Sequence, residues 1–216
     1  YLTLAHFSAN AAATPSIGRG GNEADGLTPF GQDLIITLEE YDITVDVAHV
    51  NTPGVLDACE IAERPVLCTH TGVRGIQDIP RNLTDEELDA IAETGGVVGI
   101  IFAPIFLAGH LFASSEVVAD HIEYVADRIG IRHVAIGTDY DGWIPSIPSD
   151  QRDCRDIGQV FAELERRGWY DSEIEALILQ APQQKAVITR KLRDTVHGET
   201  EDGDNGADSD STDADE

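Results

Sequence analysis

Residues 43–49 read ITVDVAH and residues 65–70 read PVLCTH, and between them lies TPGVLDACEIA, residues 52–62. Each outer stretch is a short apolar, β-rich run that ends on histidine. The middle stretch opens with Thr52-Pro53, a helix start, because proline at the first helical position gives up no hydrogen bond. Strand, helix and strand in this order make a βαβ unit with parallel strands. The strands are nearly continuous apolar runs, as they are when helices cover a parallel sheet.

The unit repeats outward. Residues 1–6 (YLTLAH), 97–102 (VVGIIF) and 133–139 (HVAIGTD) read as further strands. The sequence predicts helices over residues 29–41, 53–62, 85–94, 115–129, 157–167 and 172–178. Thr28 caps the first of these ahead of Pro29, and Thr84 with Glu87 forms a capping box at the third. An open doubly wound sheet and part of a (β/α)8 barrel both fit this α/β alternation. No GxGxxG follows a strand, and GRGG at residues 18–21 lacks the GK[ST] of a phosphate loop.

With 216 residues, 42% of them hydrophobic, the chain can bury one core. Its formal net charge is −26, from 40 acidic and 14 basic residues, and lysine occurs only at 185 and 191. Such a balance excludes nucleic acid and anionic membrane surfaces as partners. Residues 198–216 hold nine carboxylates and no base, so an acidic disordered tail is expected after a folded part spanning 1–197. Most of the charge nevertheless stays on the body. That composition fits a halophilic protein, in which salt screens self-repulsion. No apolar run is long enough to span a bilayer. The chain starts at Tyr1 and contains no Met, and is read as a fragment of a longer protein. Cys59, Cys68 and Cys154 form neither a disulfide framework nor a CxxC site, so reduced thiols and a cytoplasmic location are expected. A homodimer is left open.

Four of the five predicted strands end in a group that binds metal or moves protons: His6, His49, His70 and Asp139. In a (β/α) barrel the carboxy ends of the strands converge on one mouth. Imidazole and carboxylate are also the ligands of catalytic zinc. His110, His121, His133 and His197 lack this placement and read as structural or exposed.

Seven stretches carry a specific likeness: YLTLAHFSAN, GLTPFGQDLI, VDVAHVNTPGVLDA, RPVLCTHTGVRGI, PRNLTDEELDAIAETGGVVGI, GIRHVAIGTDYDG and FAELERRGW. In this order they resemble the membrane (renal) dipeptidase family of zinc peptidases. The resemblance implies strands four to eight of a TIM barrel with a binuclear zinc site that hydrolyses dipeptides. It implies that His49 and His70 ligate one zinc, that His6 contacts substrate, that Arg81 binds the substrate carboxylate, and that Asp139 handles the proton. The family's H-x-D motif and its bridging glutamate precede the segment that here begins at Tyr1, and no H-x-D occurs in this sequence. At most one partial zinc site is therefore expected, and residues 1–216 alone are not expected to hydrolyse dipeptides. The family's N-F-Y is here Ile101-Phe102-Ala103, a substrate-contacting tyrosine is Phe106, and its last pattern is replaced around residues 180–182. Two alternatives stay open: another binuclear metal amidohydrolase, acting on acylated amino acids or lactones, and a catalytically inactive remnant.

Overall fold

The structure is a computed structural model and describes residues 1–179. The predicted tail over 198–216 and His197 lie outside the described residues. Five strands follow the chain: β1 (Leu2–Thr3), β2 (Val45–Asp46), β3 (Leu67–Thr71), β4 (Val97–Ile100) and β5 (Val134–Ile136). They alternate with α1 (Pro29–Glu40), α2 (Thr52–Ile61), α3 (Asp85–Glu93), α4 (Pro104–Leu107) and α5 (Ser115–Ile129). Helices α6 (Gly158–Arg166) and α7 (Asp171–Leu179) close the described part.

All four strand pairings are parallel, and the spatial order β1-β2-β3-β4-β5 is the chain order. A doubly wound sheet reverses direction at a switch point; this sheet does not. Successive helices also pack on one another, α1 on α2, α2 on α3, α3 on α5 and α5 on α6. Together these make an arc of a (β/α) barrel, and among the described residues β1 and β5 are its edges.

Local chemistry places the helices. Thr28 Oγ1 accepts the Gly31 N–H ahead of α1, and the Thr84–Glu87 capping box is complete at α3. The α2 start differs by one residue from its reading. Asn51, not Thr52, is the cap, and its side chain accepts the Gly54 N–H. The sequence reading missed α4 because it spans only one turn. Apolar helix faces meet the outer face of the sheet in one core, with Ile35, Leu88, Ile91, Ile122 and Leu164 from the helices and Val66, Val98, Ile100 and Val134 from the strand layer. No described helix is long and apolar enough to cross a membrane.

The paired strands are shorter than their apolar runs. His6, His49 and Asp139 therefore stand in loops just past β1, β2 and β5, whereas His70 lies inside β3. The physical reason is backbone conformation. His49 (φ 71°) and Asp139 (φ 56°) adopt the left-handed region, which ends a strand ladder. Four of the five described non-glycine residues with positive φ, His49, Asp139, Asp141 and Trp143, sit in these two post-strand loops. Such conformations persist only where the surroundings hold them, and they cluster at functional sites.

Candidate functional site

One cavity of about 640 Å3 at the carboxy ends of the strands is lined by His6, His49, His70, Arg81 and Asp139, all five residues singled out from the sequence. Phe7, Phe106, Trp143, Ile144 and Pro145 supply its apolar wall. The barrel topology thus brings together residues spread from 6 to 139.

His49 and His70 meet through their Nε2 atoms at 2.8 Å. His6 stands beside them at the exposed mouth, its ring centroid 4.4 Å from that of His49. Burial, then the charges of Arg81, His70 and His6, push the His49 imidazolium down to about 2. Burial, Arg81 and His6 push His70 down to about 3. Both rings are therefore neutral at physiological pH, the form in which imidazole binds metal. Zn–N bonds are about 2.0–2.1 Å, so two nitrogens this close are within reach of one ion. Among the described residues no set of three His, Cys, Asp or Glu side chains is grouped to hold a metal. The pair fits two ligands of a zinc ion, not a full set. His49 Nδ1 is buried and has no hydrogen-bond partner among the described residues.

Arg81 lies on the loop between β3 and α3 and is 3% exposed. One of its terminal nitrogens donates to His70 O at 2.9 Å, and its guanidinium carbon sits 5.7 Å above the centre of the Phe106 ring. Its Nε is buried without a partner, and it has no ion pair among the described residues. Burial lowers its pKa, opposed by Cys68, Asp139 and Asp46; guanidinium stays cationic in proteins nonetheless. The loop is tightly tied. Thr71 Oγ1 donates to Arg81 O, Asn82 Nδ2 donates to Gln77 O and Phe106 O, and Gly72 N–H donates to Asn82 Oδ1.

Burial raises the Asp139 carboxyl above the usual carboxylate range, opposed by Arg81 and His6. The next turn keeps room for it. A Cβ at Gly142 would lie 2.0 Å from Asp139 Oδ1, so a side chain at 142 would displace that carboxylate.

The other described histidines stand outside this cavity. His121 is fully buried, with Nδ1 accepting the Val73 N–H and Nε2 donating to Leu107 O. The His133 ring bonds Gly96 O, and His110 Nδ1 accepts the Phe112 N–H.

Sequence reasoning missed Asp46 and Thr69. Asp46 is wholly buried beneath the histidine pair, and Thr69 Oγ1 bonds both Asp46 Oδ2 and His70 Nδ1. Each is a polar residue inside an apolar strand run, and that interruption was the readable signal.

The membrane dipeptidase family, peptidase family M19, matches residues 1–183. An uncharacterized dipeptidase of Schizosaccharomyces pombe is 31% identical over 176 residues, 81% of this chain and 42% of its own length. The dipeptidase verJ of Clonostachys rogersoniana is 31% identical over 202 residues, 90% of this chain and 50% of its own. The chain thus spans about half the length of these relatives. A metallo peptidase from Rhodobacter sphaeroides, solved with a phosphinate mimic of the dipeptide L-Ala-D-Ala, superposes with a TM-score of 0.69 at 29% identity, covering 74% of this chain and 47% of that one. The probable dipeptidase PvdM of Pseudomonas aeruginosa shares the fold, with a TM-score of 0.76 at 21% identity over 81% of this chain and 58% of that one. With its strand-end histidines and this match along most of its length, the chain belongs to the membrane dipeptidase family of metallopeptidases.

Proposed function

We propose that the protein is a zinc-dependent dipeptidase, for which this chain supplies the carboxy-terminal arc of the barrel and further metal ligands come from outside the described residues. Arg81 carries the reading. A guanidinium 3% exposed, with no ion pair among the described residues, calls for an anionic ligand. A free α-carboxylate fits its planar fork. The Rhodobacter sphaeroides metallo peptidase was solved with a phosphinate mimic of the dipeptide L-Ala-D-Ala, and a dipeptide ends in such a carboxylate.

The roles follow from position. Arg81 holds the substrate carboxylate over the Phe106 face and so fixes the peptide bond relative to the histidines. His49 and His70, whose Nε2 atoms face each other, would hold one zinc through their neutral rings. When bound, zinc polarises the scissile carbonyl and makes water nucleophilic at neutral pH. Asp139 accepts the proton of the attacking water and passes it to the leaving amine; its raised basicity suits this task. His6, at the mouth beside His49, donates a hydrogen bond to the oxygen on which charge develops. A cytoplasmic location, with Cys59, Cys68 and Cys154 as free thiols, belongs to the same reading. So does operation at high salt.

The test compares a dipeptide with its carboxy-terminal amide, using the zinc-loaded product of the whole reading frame. The free acid is expected to be turned over at least about 100-fold more efficiently, because one charge-assisted contact is worth about 1.5–3 kcal/mol and Arg81 offers two or more donors. Equal turnover of acid and amide would favour a general metal amidohydrolase and refute the role of Arg81. Residues 1–216 alone are expected to be inactive. Zinc-dependent turnover by them would overturn the shared-ligand part of the reading.

A further inference from the structure

Asp46 is 0% exposed, yet it is a carboxylate on the central part of the arc. Among the described residues its partners are two backbone N–H groups, which can only donate, and two hydroxyls placed to donate. Oδ1 accepts the Ala48 N–H at 3.1 Å and the Thr69 N–H at 2.9 Å. Oδ2 accepts the hydroxyls of Thr3 at 2.6 Å and Thr69 at 2.9 Å. Thr69 Oγ1 also lies 2.9 Å from His70 Nδ1. A hydroxyl has a single proton. With that proton on Asp46, Thr69 can only accept from His70, so Nδ1 must carry the imidazole hydrogen. The lone pair of His70 then sits on Nε2, the atom that faces His49 across 2.8 Å.

We propose that Asp46 and Thr69 are positioning residues: their carboxylate–hydroxyl relay holds the proton of His70 on Nδ1, so that Nε2 presents its lone pair to a divalent metal. The metal half of this statement rests on the function proposed above; the tautomer does not. The same reasoning assigns the partner ring. In the metal-free protein His49 Nε2–H donates to His70 Nε2, which leaves His49 Nδ1 a bare lone pair. That atom is buried with no hydrogen-bond partner among the described residues, so nothing there holds a hydrogen on it. Asp46 touches this ring's side too, since its bond to the Ala48 N–H braces the turn that sets His49 at φ 71°. A purely structural carboxylate would pin β1, β2 and β3 together through Thr3 and Thr69 without regard to the His70 proton. The two roles are separable.

The experiment uses the product of the whole reading frame with 15N-labelled histidine, stripped of metal by chelator, and long-range 1H–15N spectra. His70 is assigned by its loss in His70→Gln. The expected wild-type signature is a protonated Nδ1 and an unprotonated Nε2 on His70. Thr69→Ser should keep it. Thr69→Val should release His70 to the other tautomer or a mixture, and zinc affinity, read by chelator competition, should fall about 10–100-fold. An unprotonated Nδ1 on wild-type His70 overturns the relay outright, and so does a folded Thr69→Val variant with unchanged tautomer and zinc affinity. If Thr69→Val fails to fold, the wild-type and Thr69→Ser spectra decide. The expected tautomers with no zinc binding in any variant would support the relay and overturn the metal site.

Discussion

Arg81 and Arg167 are both sheltered guanidiniums, and the molecule treats them in opposite ways. Arg167, just past α6, bonds Glu163 at 2.6 Å, Asp120 at 2.7 Å and Glu123 at 2.6 Å, and so clamps α6 to α5 on the outside of the arc. Arg81, deeper in, is given a carbonyl and an aromatic face but, among the described residues, no carboxylate. Acidic residues outnumber basic ones almost three to one in this chain, so the lack of a partner among the described residues is not a shortage of candidates. A buried charge paired within the fold is part of the structure. One left unpaired at a cavity is, in the reading proposed above, kept for a ligand, because an unpaired buried charge otherwise only destabilises.

The largest expected effects test that contrast directly. Arg81→Met should raise KM for dipeptides about 100- to 1000-fold, the worth of two charge-assisted hydrogen bonds. Urea unfolding of the same variant should show no loss of stability, since an uncompensated charge has been removed. Arg167→Met should do the reverse, with unchanged KM and a loss of about 1–3 kcal/mol, because three carboxylates lose their counter-charge. If Arg81→Met unfolds the protein as Arg167→Met does, Arg81 is structural and the comparison collapses.

The histidines divide along the same line. His121 is buried with both nitrogens bonded, whereas His49 is buried with one nitrogen bare. Burial pushes the His121 imidazolium down to about 4, below the ordinary value of 6.5. On acidification the unfolded chain therefore takes up the proton first. The stability that neutral His121 contributes is complete above about pH 6.5 and is lost as pH falls towards 4. Between pH 7 and pH 5 this amounts to roughly 2 kcal/mol. Urea midpoints of wild type and His121→Gln at these two pH values should show the variant lacking that part of the slope. Equal slopes would mean that the His121 ring is charged, or solvated, in the fold.

How much of this was legible beforehand follows from what each signal depends on. The βαβ repeat, the Thr84–Glu87 box and the strand-end positions of His6, His49, His70 and Asp139 are local patterns, and the chain writes them plainly. The choice of an arc over a doubly wound sheet is a matter of strand order, which periodicity does not encode; the family resemblance supplied it. Arg81 was reached only through that resemblance, since nothing local distinguishes it from the exposed arginines around it. Its meaning comes from burial, a property of the folded loop. Asp46 and Thr69 were visible as polar breaks in apolar runs, but their partners come from three different strands. The left-handed backbone of His49 and Asp139 was not readable, because neither is glycine.

Asp139 offers a smaller way to break the comparison. It faces the same cavity as Arg81 without pairing with it, and Gly142 keeps the space its carboxylate occupies. Gly142→Ala places a methyl 2.0 Å from Oδ1, so the carboxylate must move. A displacement of about an ångström from a productive geometry lowers turnover about 10- to 100-fold. The expected result is lower kcat with little change in stability. Should Asp139 instead swing onto Arg81, KM would rise as well, and the free guanidinium would have acquired an internal partner.

The smallest effect tests the exposed end of the series. The Arg64–Asp42 pair is 2.5 Å long, but its side chains are 51% and 82% exposed. Pairs of this kind are worth about 0–1 kcal/mol, because water and ions screen them and two long side chains must be held still. Arg64→Gln should therefore lower stability by no more than about 0.5 kcal/mol at 0.1 M salt and by nothing measurable at 1 M, where the Debye length falls to about 3 Å. Arg167→Met should keep most of its penalty at 1 M, since its guanidinium is only 18% exposed and its nearest carboxylate 11%. The wild type itself should gain stability over this range, because screening relieves the repulsion of a net charge of −26 more than it weakens such pairs. If Arg64→Gln and Arg167→Met fade alike with salt, the Arg167 cluster is screened like any surface pair, and burial alone, without partner count, would have to set Arg81 apart.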